Sequence, residues 1–379
     1  MDFDLNEQQR LSKDAIRRFA ETEIAPLVEE AEENEKFPVE LFPKMGALGY
    51  LCIRYPAEYG GAGVDKVSEV VFREELSRVC QGIASTWSGH SHLATFPIYS
   101  FGTEEQKQEY LVPAIKGEKI GGFSLTEPNA GSDAKSIETT ARKEGDTYVI
   151  NGSKMFASNA TFADYVLVAA YTDKSQGYKG ISLFIVDKGM PGFTVLRKIK
   201  KEGVRCCETA ELAFEDCRVP ERNLLGGKEG CFPLIMGTFS EGRIGIAGNM
   251  VGIAQASYEL ASSYAQQRTQ FGRPIGKFQA ISFKIADMAT EINAARLLTY
   301  QAAWMHDQGR KCVKEAHMAK LFASEVAVRA ARETMQILGG IGQTREAPAG
   351  RYLRDALAYT VGEGTSEIQR LVITREIGL

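Results

Sequence analysis

The chain is poor in the side chains from which metal centres and disulfide frameworks are built, with four His and seven Cys in 379 residues. An odd number of cysteines without zinc-type spacing excludes a disulfide framework. The adjacent pair Cys206-Cys207 is unsuited to chelating one tetrahedral ion, and His90 with His92 lacks a second pair, so no metal is expected. A basic excess is also missing. The formal net charge is −4, which argues against a nucleic-acid surface and its basic face. No apolar run approaches the ~18–20 residues of a membrane span. The segment Met1-Asp2-Phe3-Asp4-Leu5-Asn6 lacks the basic and apolar regions of a signal peptide. The expected location is therefore cytoplasmic, in a bacterium, with a matrix protein numbered after processing as the alternative. Absent too is a Gly-x-Gly-x-x-Gly turn, which a nicotinamide cofactor would ordinarily bring. The nearest phosphate-loop decoy, Gly272-Arg273-Pro274-Ile275-Gly276-Lys277-Phe278, is one residue short and lacks the Ser or Thr that would hold magnesium.

What is present is length and a change of period. A chain of 379 residues allows two or three packed units, and 44% hydrophobic with 25% charged residues is ordinary for a globular protein. Asn6 with Gln9 reads as a capping box opening a helical stretch to about Phe37, stopped by Pro38. Further helices fit Ser68 to Val79 and a start at Thr103, with Gln106 three residues on. After Gly121 the pattern shortens to strands around Tyr148-Val149-Ile150, Tyr165 to Val168, Ile181 to Val186, Val195 and Leu212 to Phe214. From about Phe232 to the C-terminus long helical patterns return, with Ala-rich stretches such as 246–265, 280–305 and 314–337. The expected architecture is α+β: an all-α unit at 1–117, a β-barrel at 118–230 and a helical bundle at 231–379.

Three segments concentrate the chemistry. Gly362-Glu363-Gly364-Thr365-Ser366-Glu367 sets a carboxylate between two residues that leave a ligand's approach unobstructed. The same residues read as a helix N-terminus, with Thr365 or Gly364 as cap and Glu363 and Glu367 at the positive end. Phe123-Ser124-Leu125-Thr126-Glu127-Pro128-Asn129-Ala130-Gly131-Ser132-Asp133 joins an apolar lead-in to a turn. Arg268-Thr269-Gln270-Phe271-Gly272-Arg273-Pro274 closes one helical stretch and opens another. Together with Tyr59-Gly60-Gly61-Ala62-Gly63, Asn151-Gly152-Ser153-Lys154 and Gln336-Ile337-Leu338-Gly339-Gly340, this set resembles the acyl-CoA dehydrogenase family over nearly the whole length. In particular it resembles the short- and medium-chain branch with a C-terminal Glu base.

The resemblance implies FAD-dependent α,β-dehydrogenation of an acyl-CoA thioester, with Glu363 taking the α-proton and the β-hydride passing to flavin. Phe123, Leu125, Thr126, Gly131 and Ser132 would line the flavin, with Phe156 and Ser158 standing where the family usually has Trp and Thr. Arg268, Gln270, Phe271, Phe278, Gln279, Gln336, Gly339 and Gly340 would meet the adenosine and pyrophosphate end from a neighbouring subunit, usually in a dimer of dimers. Thr365 and Glu367 would complete the adenine end. Ser132, Phe239, Ser240, Arg243, Gly362 and Gly364 would face the substrate. The thioester oxygen would be polarised by the Glu363 backbone N–H and a flavin hydroxyl.

In some branches the base lies on an earlier helix, immediately before an Arg. That position is Gly242 here, and Glu241 is one residue off, roughly 100° around a helix. Gly362 stands where a Tyr is common, which predicts room for a cyclic or branched acyl group unless Trp87 or Phe239 refills it. Segment 81–100 has no Arg to hold a distal carboxylate, so an uncharged acyl group is expected. The implied acceptor is an electron-transfer flavoprotein. The alternatives are an acyl-CoA oxidase, which the chain length disfavours, and a non-catalytic acyl-CoA-binding protein.

Overall fold

The computed structural model describes residues 4–379, so Met1 to Phe3, on which the signal-peptide reading partly rests, lie outside the described residues. Asn6 Oδ1 accepts from the Gln9 N–H at 2.8 Å and Gln9 Oε1 accepts from the Asn6 N–H at 3.0 Å. The capping box thus starts α1 at Glu7–Phe19. The helix does not run on to Phe37 as expected. Pro26 has no N–H to donate, and the chain passes through a wide turn at Ala20–Ile24 and a tight one at Ala25–Leu27 before α2, Val28–Glu33. After α3 (Leu41–Ala47), the Asp65 side chain caps α4 (Lys66–Val79) by accepting from the Ser68 N–H at 2.7 Å, two residues ahead of the expected start. α5 (Gln81–Ser88), α6 (Phe96–Phe101), α7 (Glu104–Gln106) and α8 (Val112–Ile115) complete this part. The capping box of Thr103 with Gln106 is present at α7.

Seven strands follow: β1 (Gly121–Ser124), β2 (Thr140–Glu144), β3 (Thr147–Ser158), β4 (Tyr165–Tyr171), β5 (Ile181–Asp187), β6 (Phe193–Lys198) and β7 (Thr209–Pro220). They form one sheet in which β4 pairs with β1, β2 and β5, and β3 pairs with β1, β2 and β7. β1 and β2 escaped the sequence reading for different reasons. Gly121-Gly122 has little strand propensity, yet a Cβ on Gly121 would lie 2.6 Å from Ala94 Cβ, so only Gly lets α-helical and β layers approach there. β2 carries exposed Arg142 and Lys143 and offers little apolar alternation.

The C-terminal part is helical. α9 (Phe232–Gln267) starts where the helical pattern was expected to return; Pro233 is tolerated in a first turn and tertiary packing overrides the weak propensity of Gly237, Gly242 and Gly245. A short hairpin, β8 (Thr269–Gln270) and β9 (Arg273–Pro274), leads to α10 (Gln279–Asp307) and α11 (Val313–Leu338), then α12 (Ala349–Val361) and α13 (Ser366–Glu376). Buried Ala247, Ala254, Ala319, Ala323 and Ala327 let α9 and α11 pack closely. Among the described residues, no helix is long and apolar enough to cross a membrane.

Candidate active site

Glu363 lies in the link between α12 and α13, at φ +57°, a left-handed conformation uncommon for a residue with a side chain. Gly364 follows at φ +90°, and Thr365 then caps α13 by accepting from the Ile368 N–H at 3.2 Å. The helix-terminus reading is therefore realised, with Thr365 as the cap and Glu363 two residues ahead of it. Lys320 Nζ donates to the Tyr359 carbonyl at 2.7 Å and the Gly364 carbonyl at 2.8 Å, and Gln369 Nε2 donates to the same Gly364 carbonyl at 2.8 Å. These contacts hold the link in its turn.

The Glu363 residue as a whole is half-buried, but its Oε2 is shut off from solvent and has no hydrogen-bond donor. Burial pushes its carboxyl above the ordinary Glu range, opposed by the charges of Arg243, Arg73 and Lys320. Arg243 is itself held below its usual value by burial, against the pull of Glu363. A Cβ on Gly242 would stand 3.6 Å from Glu363 Oε2 and 3.0 Å from His92 Nε2, so the backbone of α9 at Gly242 packs against the Glu363 carboxylate.

Glu241 points elsewhere. Its carboxylate is bound by Arg54 and lies 3.3 Å from Lys66 Nζ, which also reaches Glu69 Oε2 at 2.7 Å. Burial brings the Lys66 ammonium down to about 7.

The β sheet presents a second wall. Phe123 pairs with Ser158 across β1 and β3, and the Met155 N–H donates to the Thr126 carbonyl at 2.8 Å, which sets Phe123, Leu125 and Thr126 beside Phe156 and Ser158. Beneath them Lys154 Nζ, fully buried, donates to Glu127 Oε1 at 2.6 Å and the Leu125 carbonyl at 3.2 Å. Phe156 is 56% exposed at φ +57°, its ring set on an open face. Gly131 and Ser132 lie on the exposed turn that follows. An open aromatic ring, two hydroxyls and a clear backbone fit the planar ring system of a flavin.

Arg268, Gln270, Gln279, Gln336, Gly339 and Gly340 are exposed, and Phe271 is 93% exposed, with its ring centroid 6.1 Å from that of Phe278. These residues form no closed site within one chain. Glu367 is exposed on the first turn of α13. Phe239 meets Phe123 edge-on at 5.6 Å, and Ser240 Oγ donates to the Met236 carbonyl at 3.0 Å while lying 3.5 Å from Arg243 Nη1.

The fold also assembles groups that linear spacing hides. Arg73 from α4 lies under α9, where a Cβ on Gly245 would be 2.5 Å from its Cζ. Cys80 Sγ comes to 3.8 Å from Cys206 Sγ, beside Glu32, across 126 residues of chain. Tyr359 OH is 2.6 Å from Ser85 Oγ, and its ring lies 3.8 Å from where a Cβ on Gly362 would be. Neither Trp87, whose Nε1 donates to the Tyr50 carbonyl at 2.7 Å, nor Phe239 occupies that position.

The sequence matches family models for the acyl-CoA dehydrogenase N-terminal domain over residues 6–118, the middle domain over 122–217 and the C-terminal domain over 230–378. It is 45% identical to the short-chain specific acyl-CoA dehydrogenase of Clostridium acetobutylicum, over the full length of both chains. Butyryl-CoA dehydrogenase from Megasphaera elsdenii superposes with TM-score 0.96 at 43% identity, covering 100% of both chains. A chain solved in work on the electron transferring flavoprotein of Acidaminococcus fermentans gives TM-score 0.97 at 48% identity, again over 100% of both. The prolyl acyl carrier protein oxidase AnaB gives TM-score 0.94 at 34% identity over 99% of this chain and 100% of its own. The chain belongs to the acyl-CoA dehydrogenase family and is an FAD-dependent oxidoreductase acting on CH–CH bonds.

Proposed function

We propose that the protein oxidises a short acyl-CoA to its enoyl-CoA, with Glu363 as the base that removes the α-proton. The observation that carries this is the Glu363 Oε2, buried without a donor and beside Arg243. A carboxylate held by hydrogen bonds would be a weak base; this one is free to take a proton and is made more basic by burial. Arg243, Arg73 and Lys320 keep the anionic form accessible. Bound FAD supplies the acceptor for the β-hydride. Phe123, Leu125, Thr126, Phe156 and Ser158 would hold its ring. Arg268, Gln270, Phe271, Phe278, Gln279, Gln336, Gly339 and Gly340, left open on one chain, would serve the pyrophosphate and adenosine of a neighbouring subunit's flavin in a homotetramer. Ser132, Phe239, Ser240 and Gly364 would border the thioester.

The short-chain reading also draws on the named relatives, butyryl-CoA dehydrogenase and the short-chain specific enzyme. An electron-transfer flavoprotein is the acceptor we propose, in the cytoplasm. Length does not separate this reading from an oxidase, because the AnaB oxidase spans the same fold end to end. Oxygen consumption does. The purified protein should be yellow with about one FAD per chain, bleach anaerobically with butyryl-CoA, and reduce an electron-transfer flavoprotein far faster than oxygen. A colourless protein that takes up no FAD on reconstitution would sink the enzyme reading.

Room for a cyclic or branched acyl group beside Gly362 has less support than the missing ring suggested, because the Tyr359 ring flanks that space. Rates with butyryl-, isobutyryl- and cyclohexanecarboxyl-CoA decide it, and a clear preference for butyryl-CoA rules out the wide pocket.

A further inference from the structure

Among the described residues, one set of three metal-ligating side chains comes together: Glu32, Cys80 and Cys206, with ligand atoms all within 4.8 Å of one another. They come from the end of α2, the junction of α4 with α5, and the segment that enters β7. The two sulfurs are 3.8 Å apart. Two Zn–S bonds of ~2.3 Å meeting at a tetrahedral angle span about 3.8 Å, so the pair already has the edge length such an ion needs. Sequence spacing argued against a metal because the adjacent Cys206 and Cys207 cannot chelate one tetrahedral ion. The fold instead gives Cys206 a partner 126 positions away.

Glu32 completes the set with an oxygen that no other group uses. Its Oε1 accepts from the Cys206 N–H at 3.1 Å, while Oε2 is buried without a donor, on a residue only 8% exposed. A carboxylate oxygen shut away like this is costly unless a donor or a cation reaches it. The neighbouring cations are engaged elsewhere. Arg351 Nη2 donates to the Val79 carbonyl at 3.1 Å and its Nη1 lies 3.9 Å from Asp355 Oδ2, and Arg205 pairs with Glu35 at 2.7 Å. Gly82 keeps the space between the ligands clear, since a Cβ there would be 2.4 Å from Cys206 Sγ and 3.1 Å from Glu32 Oε1. A cavity of about 730 Å³, lined in part by Glu32, Val79 and Arg351, supplies an entry path. Charge does not oppose entry, because each thiol gives its proton to solvent as it ligates and a dication replaces the two protons lost.

We propose that Glu32, Cys80 and Cys206 bind one zinc-type divalent cation, with a water from the cavity in the fourth position. Two thiolates and one carboxylate select a borderline-soft ion over magnesium or calcium, which take oxygen ligands. The ion staples the N-terminal helices to the segment entering β7 and takes no part in the dehydrogenation.

The test uses FAD-loaded enzyme purified anaerobically, stripped with a chelator and titrated with zinc alone against a chromogenic competitor. Cobalt alone then reports the ligands, because thiolate-bound tetrahedral cobalt absorbs at longer wavelengths than oxidised flavin. Wild type should take up one ion per chain with Kd below ~1 μM. Cys206→Ser, Cys80→Ser and Glu32→Gln should each weaken zinc by ~100-fold or more, since even loss of an outer hydrogen-bond partner can cost that much. Cys312→Ser should leave binding unchanged. Weaker wild-type binding, thiolate-type cobalt bands that persist in Cys206→Ser, or a Cys80–Cys206 disulfide found by mass spectrometry of the alkylated, unreduced enzyme overturns the assignment. Should the variants fail to fold, the wild-type cobalt spectrum decides: thiolate-type bands at one ion per chain support the site, and their absence overturns it.

Discussion

Glu363 Oε2 lies 3.6 Å from the point where a Cβ on Gly242 would stand, so residues 121 positions apart in the chain meet in one packed contact.

Glu363→Gln should keep FAD and ligand binding while losing turnover by several orders of magnitude, because the amide preserves shape and cannot accept a proton. Glu241→Gln should act mainly on stability, since it breaks the pairing with Arg54 and Lys66. Stopped-flow flavin reduction and chemical denaturation of both variants separate the effects. A larger rate loss for the Glu241 variant would reassign the base.

The raised Glu363 carboxyl sets two pH trends of defined sign. Proton abstraction needs the anion, so kcat/KM should fall as pH drops through a pKa above the ordinary Glu value of 4.5. For stability, the folded state holds this proton more tightly than the unfolded chain. Stability should therefore decline as pH rises from 4.5 through the folded pKa. Glu363→Gln should remove that decline, making the variant the more stable protein at neutral pH. Denaturation at several pH values checks it, and equal stability at neutral pH would contradict it.

Lys154→Met should destabilise the protein by ~3–5 kcal/mol, since it strands the buried Glu127 without its cation. It also frees the Leu125 carbonyl, so FAD retention should fall with stability. The measurements are urea denaturation and flavin content after gel filtration. Full flavin content in a destabilised variant would show that the pair supports the sheet and not the cofactor wall.

Arg268→Ala should loosen FAD and the oligomer together, because Arg268 is exposed at the head of a hairpin whose Phe271 is 93% exposed. Light scattering alongside flavin absorbance reads both. Monomers with full flavin content would break the proposed link.

Local rules written in the sequence were sufficient for much of the architecture. The caps at Asn6 and Thr103 were legible because they depend on side chains three residues from the backbone groups they satisfy. The strands Tyr165–Tyr171 and Ile181–Asp187 were legible because nearly every residue in them is buried and apolar. Glu363, between two glycines, and the Phe123 to Ser132 turn were marked out by their resemblance to the family's motifs taken together. What the sequence could not determine is which distant groups share a desolvated space. Arg73 reads as one more charge on an amphipathic helix until α9 packs over it, and only then do Gly245 and Ser88 become its neighbours. Tyr359 beside Gly362 and Cys80 beside Cys206 follow the same logic. Electrostatic strength depends on burial as much as on distance, and burial belongs to the packed fold, so tertiary structure alone decided which charges at this site matter.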